Sequence, residues 1–335
     1  TRSLRRGMAK EKLAGLLTSL PPIEFCCTYG SSLHPNNNDK TRMIDYIIGV
    51  RDPVEWHSEN LKLNSDHYAS WIRYLGGGKL TTLVADGVGV GVHFNPFVSW
   101  NDKTVKYGVV RTHDLIQDIL HWERFYLSGR LQKPACILVD TVDVEGFNSY
   151  NLKAAVSAAL LMLTSDFTEE DLYTKICSLS YMGDLRMLFA EDKHKVKKIV
   201  DAQFHLFRTM YKPILEEFSI NGLLGLSFDH NLLKISQGCD LCSAQSLIPH
   251  LPPIIRSKMG VGPMKQQTAS SGRMIDFGSA IRSRGQAAAS LQKVLRRKVM
   301  TSSMRQAVSG LLMTGGVRAS RYLANKMRKA WNSWD

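Results

Sequence analysis

The chain has no apolar run long enough to cross a bilayer as a helix. Its longest, Ala154–Leu163, is about half of the ~20 residues that a span requires and carries Ser157 inside it. A soluble or peripheral protein is expected. Cysteine is scarce, six in 335 residues, which excludes a disulfide scaffold. Two of the six, Cys26 and Cys27, sit together in an apolar run where the thiol acts as a small hydrophobe, so a reducing compartment is expected. The single CxxC, Cys239 to Cys242, has no second CxxC and no HxxxH pair to complete a zinc site. No internal repeat is present. Acids are almost missing from residues 281–335, where twelve Lys or Arg meet one acid, Asp335; most of the net charge of +13 therefore belongs to that segment, and the body before it is nearly neutral. Arg2, Arg5 and Arg6 with no acid before Glu11 read as the remnant of a transit peptide or an arbitrary start.

What is present divides the chain. Ile23–Thr28 and Met43–Val50 read as strands, the first opened by Pro21-Pro22 and closed by Gly30. Gly76–Gly78 marks a turn before Leu80–Phe94, where Gly87, Gly89 and Gly91 alternate with valines as on one bare face of a strand. Val105–Arg111 and Ala135–Val139 are further strands, and Leu115, Ile119, Trp122 and Tyr126 predict a helix over residues 113–126. From Asn151 to about Glu217 the pattern is helical, and residues 219–280 read as loops around short helices. These features predict an α+β protein: a mixed-sheet domain over 1–150, a mostly helical domain over 151–280 and a basic amphipathic helical tail over 281–335.

The chemistry centres on Tyr29-Gly30-Ser31-Ser32 and Asp45. A strand ending in Gly-Ser offers backbone N–H groups and a hydroxyl in a tight turn open to a polyphosphate. On the next strand Asp45 stands among apolar residues, where a carboxylate is paired or holds a metal such as magnesium. Strand, Gly-Ser, loop, strand, Asp is the order of the nucleotidyltransferase fold. That fold usually adds a second acid at i+2, which shares the strand face; here that position is Ile47. Asp184, Asp140, Asp86 and Asp52 are candidates for the missing ligand, and spacing does not rank them.

Further short motifs follow in order: Met43-Ile44-Asp45-Tyr46-Ile47, Trp56-His57 with Asn60, His67-Tyr68, Phe94-Asn95-Pro96, Lys106-Tyr107-Gly108-Val109 and Ser128-Gly129-Arg130-Leu131-Gln132-Lys133-Pro134. The helical half adds Asn151-Leu152, Phe167-Thr168-Glu169-Glu170, Leu172-Tyr173, Ser180-Tyr181-Met182-Gly183-Asp184-Leu185-Arg186-Met187 and Glu191-Asp192-Lys193 with Lys195-Val196. Over roughly residues 12–255 this series resembles the mitochondrial translocator assembly and maintenance family, the peripheral phosphatidate cytidylyltransferases of mitochondria. The resemblance implies a magnesium-dependent reaction of CTP with phosphatidic acid to CDP-diacylglycerol and pyrophosphate, serving cardiolipin synthesis on the matrix side of the inner membrane. It also implies phosphate binding by Lys106 and raises His57 as a residue lining the nucleotide pocket. Asp184 is expected to supply the second metal ligand, with Arg186 and Lys193 meeting phosphate. Arg130 and Lys133, by contrast, read as cations favoured at a helix C-terminus.

In the tail, Leu291, Val294, Leu295 and Val299 line one side of a helix crowded by Lys293, Arg296, Arg297 and Lys298. Trp331 and Trp334 recur at helical spacing beside Arg328. This pattern suits an anionic membrane surface and argues against nucleic acid, for which aromatics alternate with bases. A helix docked on the body, an RNA-directed nucleotidyltransferase and a non-enzymatic import assembly factor are the competing readings.

Overall fold

The computed structural model describes residue 11 and residues 13–30, 43–184, 187, 194–229, 232–261 and 281–314. Ser31, Arg186, Lys193, Arg328, Trp331 and Trp334, named above, lie outside those residues.

Strands β1 (Phe25–Tyr29) and β2 (Ile44–Val50) are buried along nearly their whole lengths, as strands covered on both faces must be. With β3 (Val92–Trp100), β4 (Lys103–Arg111) and β5 (Ala135–Asp140) they form a mixed sheet in the order β3-β4-β2-β1-β5. The β2–β4 pairing is parallel, and the other three are antiparallel. Helix α1 (Pro53–Leu63), opened by the Asp52 side chain accepting from the N–H groups of Val54 and Glu55, lays Trp56 on the face formed by Tyr46, Ile48 and Tyr107. A short α2 (Ser70–Tyr74) and α3 (Gly77–Gly87) follow. The opposite face, with Phe25, Ile47 and Val110, receives Leu115 and Ile119 of α4 (Thr112–His121). A one-turn α5 (Ser128–Leu131) then leads into β5.

Two expectations are corrected here. Residues 80–87 are helical, and the strand begins only at Val92. A Cβ on Gly78 would stand 2.3 Å from the Val54 carbonyl oxygen, so this glycine serves close packing of α3 on α1. The helix predicted to reach Tyr126 stops at His121, because Trp122 (φ 52°) and Phe125 (φ 52°) take left-handed backbone conformations.

In the second half, α6 (Val144–Met162), α7 (Glu169–Leu179) and α8 (Lys195–Ile220) surround a core that includes Ala155, Leu160, Tyr173, Phe207 and Tyr211. Helix α6 runs straight through the boundary placed between residues 150 and 151. Strands β6 (Asp166–Thr168), β7 (Gly225–Asp229) and β8 (Leu232–Ser236) form a small antiparallel sheet, β6 where helix was expected and β7 and β8 where loops were. Asp240 of the CxxC caps α9 (Leu241–Leu247), and α10 (Pro253–Lys258) precedes the last described helix, α11 (Arg284–Thr314).

Helix α11 overturns the expectation that its apolar stripe and Lys298 face a membrane. Ala287, Leu291, Leu295 and Val299 belong to the core of the helical half, so the apolar stripe faces protein. Lys298, expected at a membrane, is buried and donates to the Glu123 carbonyl at 2.6 Å; its desolvation lowers the ammonium pKa to about 8. Arg305 donates to the carbonyls of Val88, Gly89 and Gly87, closing the C-terminal end of α3. Arg296 and Arg297 stay exposed.

Candidate active site

Register assembles the site from three neighbouring strands. Tyr29 of β1 is paired with Asp45 of β2, and Asp45 with Lys106 of β4. Residues opposite one another share a face, so these three form one row across the sheet. The next row down is Cys27, Ile47 and Gly108, which is apolar. Ile47, at the position of the usual second acid, is 1% exposed and belongs to that core.

Beyond Tyr29 the chain turns at Gly30, whose φ of +89° favours glycine. A Cβ there would approach Asp45 Oδ2 at 3.5 Å, so the turn lies against the carboxylate. Lys106 Nζ stands 3.9 Å from Asp45 Oδ1 and 4.3 Å from the centre of the Phe94 ring. Phe94 reaches this place because Gly108 opposite it has no side chain; a Cβ there would meet the ring at 2.5 Å. Burial, with the charge of Asp45, pushes the Tyr29 phenol far up, so it remains a neutral donor.

The Arg130 guanidinium lies 3.8 Å from the Tyr126 ring and 5.7 Å from the Tyr29 ring. Lys133 donates to Ser180 Oγ at 2.7 Å, and both Lys133 and Lys195 stand over the Tyr181 ring. Asp184, after Gly183 in the turn beyond α7, is 3% exposed. Among the described residues no three His, Cys, Asp or Glu side chains form a metal cage. The structure thus unites Tyr29, Gly30, Asp45 and Lys106, while Asp184 sits in the turn joined to Lys133 through Ser180.

The expectation for His57 is corrected. It lies on the sheet face opposite Asp45, 1% exposed, with Nδ1 2.8 Å from the Tyr68 hydroxyl and its ring edge-on to His93. Desolvation holds its imidazole well below the usual range, so it is a neutral structural group. Sequence reasoning assigned Phe94 no role of its own in the site and read Arg130 as a helix-end cation. Neither has a spacing signal, since both are placed by register and by a loop.

The family model for "Phosphatidate cytidylyltransferase, mitochondrial" matches residues 13–329. The chain belongs to that family. Its relatives of the same name include the bovine protein, 34% identical over 326 residues that cover 93% of this chain and 92% of the relative. The Schizosaccharomyces pombe protein is 33% identical over 321 residues, covering 92% and 80%. The human protein is 44% identical over 201 residues, 58% of this chain and 44% of the relative. Family membership covers the sheet, the helical half and α11 alike.

Proposed function

We propose that the chain is a phosphatidate cytidylyltransferase, converting CTP and phosphatidic acid to CDP-diacylglycerol and pyrophosphate. The observation that carries the reading is the Tyr29–Asp45–Lys106 row beside the left-handed Gly30 turn, in a member of a family of that name. The nucleophile is a phosphate monoester oxygen, ionised at neutral pH, so no strong general base is required. That oxygen bonds to the α-phosphorus of CTP as the bond to the β-phosphate bridging oxygen breaks, and the electron pair leaves with pyrophosphate. Lys106, steered by Asp45 and Phe94, would bind the triphosphate, and the Gly30 turn with Ser31 would hold its oxygens.

Asp45 suits a magnesium ligand: its carboxylate is 28% exposed and faces the Gly30 turn, and such sites often use one or two carboxylates plus substrate phosphates. Magnesium, when bound, would neutralise developing phosphate charge. Asp184 as a second ligand, and Arg186 and Lys193 as phosphate contacts, complete the proposal. Pyrophosphate release from CTP that requires phosphatidic acid, and is lost in Asp45→Ala, is the deciding assay. Release without the lipid would overturn it.

The finer reading places the protein at the anionic matrix face of the mitochondrial inner membrane, without a nucleic-acid partner. No helix among the described residues is long and apolar enough to cross a membrane. With the first stripe of α11 docked, membrane contact rests on its exposed Met300, Met304, Val308 and Leu311, with Arg296 and Arg297, and on Arg328, Trp331 and Trp334 beyond. Flotation with anionic liposomes, set against retention on RNA, separates this reading from RNA-directed transfer.

A further inference from the structure

Asp118 is a buried carboxylate in the apolar stripe of α4, between Leu115 and Ile119. Its Oδ1 accepts from the backbone N–H groups of Arg124 and Phe125, both at 2.7 Å. Its Oδ2 accepts from the N–H groups of Tyr126, Leu127 and Ser128 at 3.1, 2.9 and 3.0 Å, and from the Ser128 hydroxyl at 3.1 Å. Five consecutive amides thus converge on one side chain, which accounts for the left-handed Phe125 inside the segment. Helix α11 presses the same segment from outside, through Lys298 on Glu123 and Ser302 on Arg124.

The product of this winding is the position of Tyr126 and Arg130. Arg130 Nη1 donates to the Tyr126 carbonyl at 2.6 Å, and its guanidinium lies against the Tyr126 ring. The same guanidinium is near Tyr29, the residue that opens the Gly30 turn and is paired with Asp45. A cation merely favoured at a helix end accounts for the carbonyl contact but not for two flanking rings. Guanidinium stacked on a ring bonds through its edge, in the fork geometry that phosphates accept.

We propose that Arg130 is a triphosphate ligand of this site and that Asp118 is its positioning residue, acting through residues 124–128. The inference rests on the cytidylyltransferase reading, and its test is arranged so that the two fail separately. Turnover by the wild-type full chain judges the reading itself. Calorimetric binding of inorganic pyrophosphate to wild type and variants judges Arg130 whichever way turnover falls.

Arg130→Ala is expected to weaken pyrophosphate binding at least ~10-fold and to lower kcat/KM for CTP by ~10²-fold, with melting unchanged. Arg130→Lys recovers little, because ammonium lacks the fork. Asp118→Asn offers one acceptor oxygen where two are used, and is expected to cost ~10-fold in kcat/KM; in the Arg130→Ala background the same change costs less than ~2-fold. Should Asp118→Asn fail to fold, Ser128→Ala removes one of the six donors and is expected to show a smaller loss with the same dependence on Arg130. Pyrophosphate affinity within twofold of wild type in Arg130→Ala overturns the ligand role. An equal loss from the Asp118 or Ser128 change with and without Arg130 overturns the positioning role.

Discussion

Lys106 and Asp45 face each other across the parallel β2–β4 pair, Nζ to Oδ1 at 3.9 Å, with side chains 23% and 28% exposed. A part-exposed pair at that distance contributes at most about 1 kcal/mol to stability. Its residues are therefore expected to matter for chemistry far more than for folding. Lys106→Met should lower kcat/KM for CTP by ~10²-fold while the melting temperature moves by a few degrees at most. A fall in both together would make the pair structural.

The ring beneath Lys106 gives a second expectation. Gly108→Ala introduces a Cβ that meets Phe94 Cε1 at 2.5 Å and Cδ1 at 2.8 Å, so the ring must move and Lys106 with it. Destabilisation of about 1–3 kcal/mol by overpacking should accompany a loss of CTP turnover, and Gly108→Ala with Phe94→Leu should regain stability but not full activity. Denaturant melts and initial rates on the two variants decide the matter.

Acid sensitivity should arise on the other sheet face. Burial holds His93 down to about 4, whereas the unfolded chain protonates it near the ordinary histidine value. The native state then binds fewer protons than the unfolded one, so stability is whole above about pH 6.5 and falls as pH drops toward 4. Between pH 7 and 5 this one residue is expected to cost roughly 2 kcal/mol. His93→Gln should flatten that part of the profile in urea titrations; an unchanged slope would mean that His93 is already protonated or that other groups dominate.

Two truncations should separate the halves of the C-terminal segment. Removing residues 315–335, which hold Arg328, Trp331 and Trp334, is expected to weaken liposome flotation. Removing residues 284–335 takes Leu291, Leu295 and Val299 out of the core and should leave a poorly folded chain, since each buried aliphatic contributes on the order of 2 kcal/mol. Arg305→Ala, which frees the carbonyls of Gly87, Val88 and Gly89 at and just beyond the end of α3, should speed amide exchange around residues 84–91 without touching flotation.

The juxtaposition of the Gly30 turn and Asp45 was legible because its parts are local: a strand closing on Gly30 and a strand carrying Asp45 need no distant partner to be recognised. Lys106 came from the family resemblance, and the sheet explains it. Residues 80–87 were misread because the glycine–valine alternation of residues 87–92, which resembles one face of a strand, was carried back to Leu80, while Gly78 packs closely on α1 and the stretch is helical. The stripe of α11 has the same periodicity whether it meets lipid or protein, and only the core of the helical half settles which. Asp118 left a trace, an acid in an apolar helical stripe, but the five amides it collects lie on a backbone path that no residue pattern announces.

The parallel pairing that sets Lys106 beside Asp45 also orders events in time. Antiparallel β1 and β2 follow one another directly in the order of elements, but β2 and β4 meet only after α1, α2, α3 and β3 have been laid down between them. Such a long closure is entropically late. A nascent or partly unfolded chain can therefore carry a formed β1–β2 hairpin, with Asp45 in place, and still lack its lysine. Slow steps in α1–α3 assembly would delay the appearance of activity while leaving the early strand signal intact.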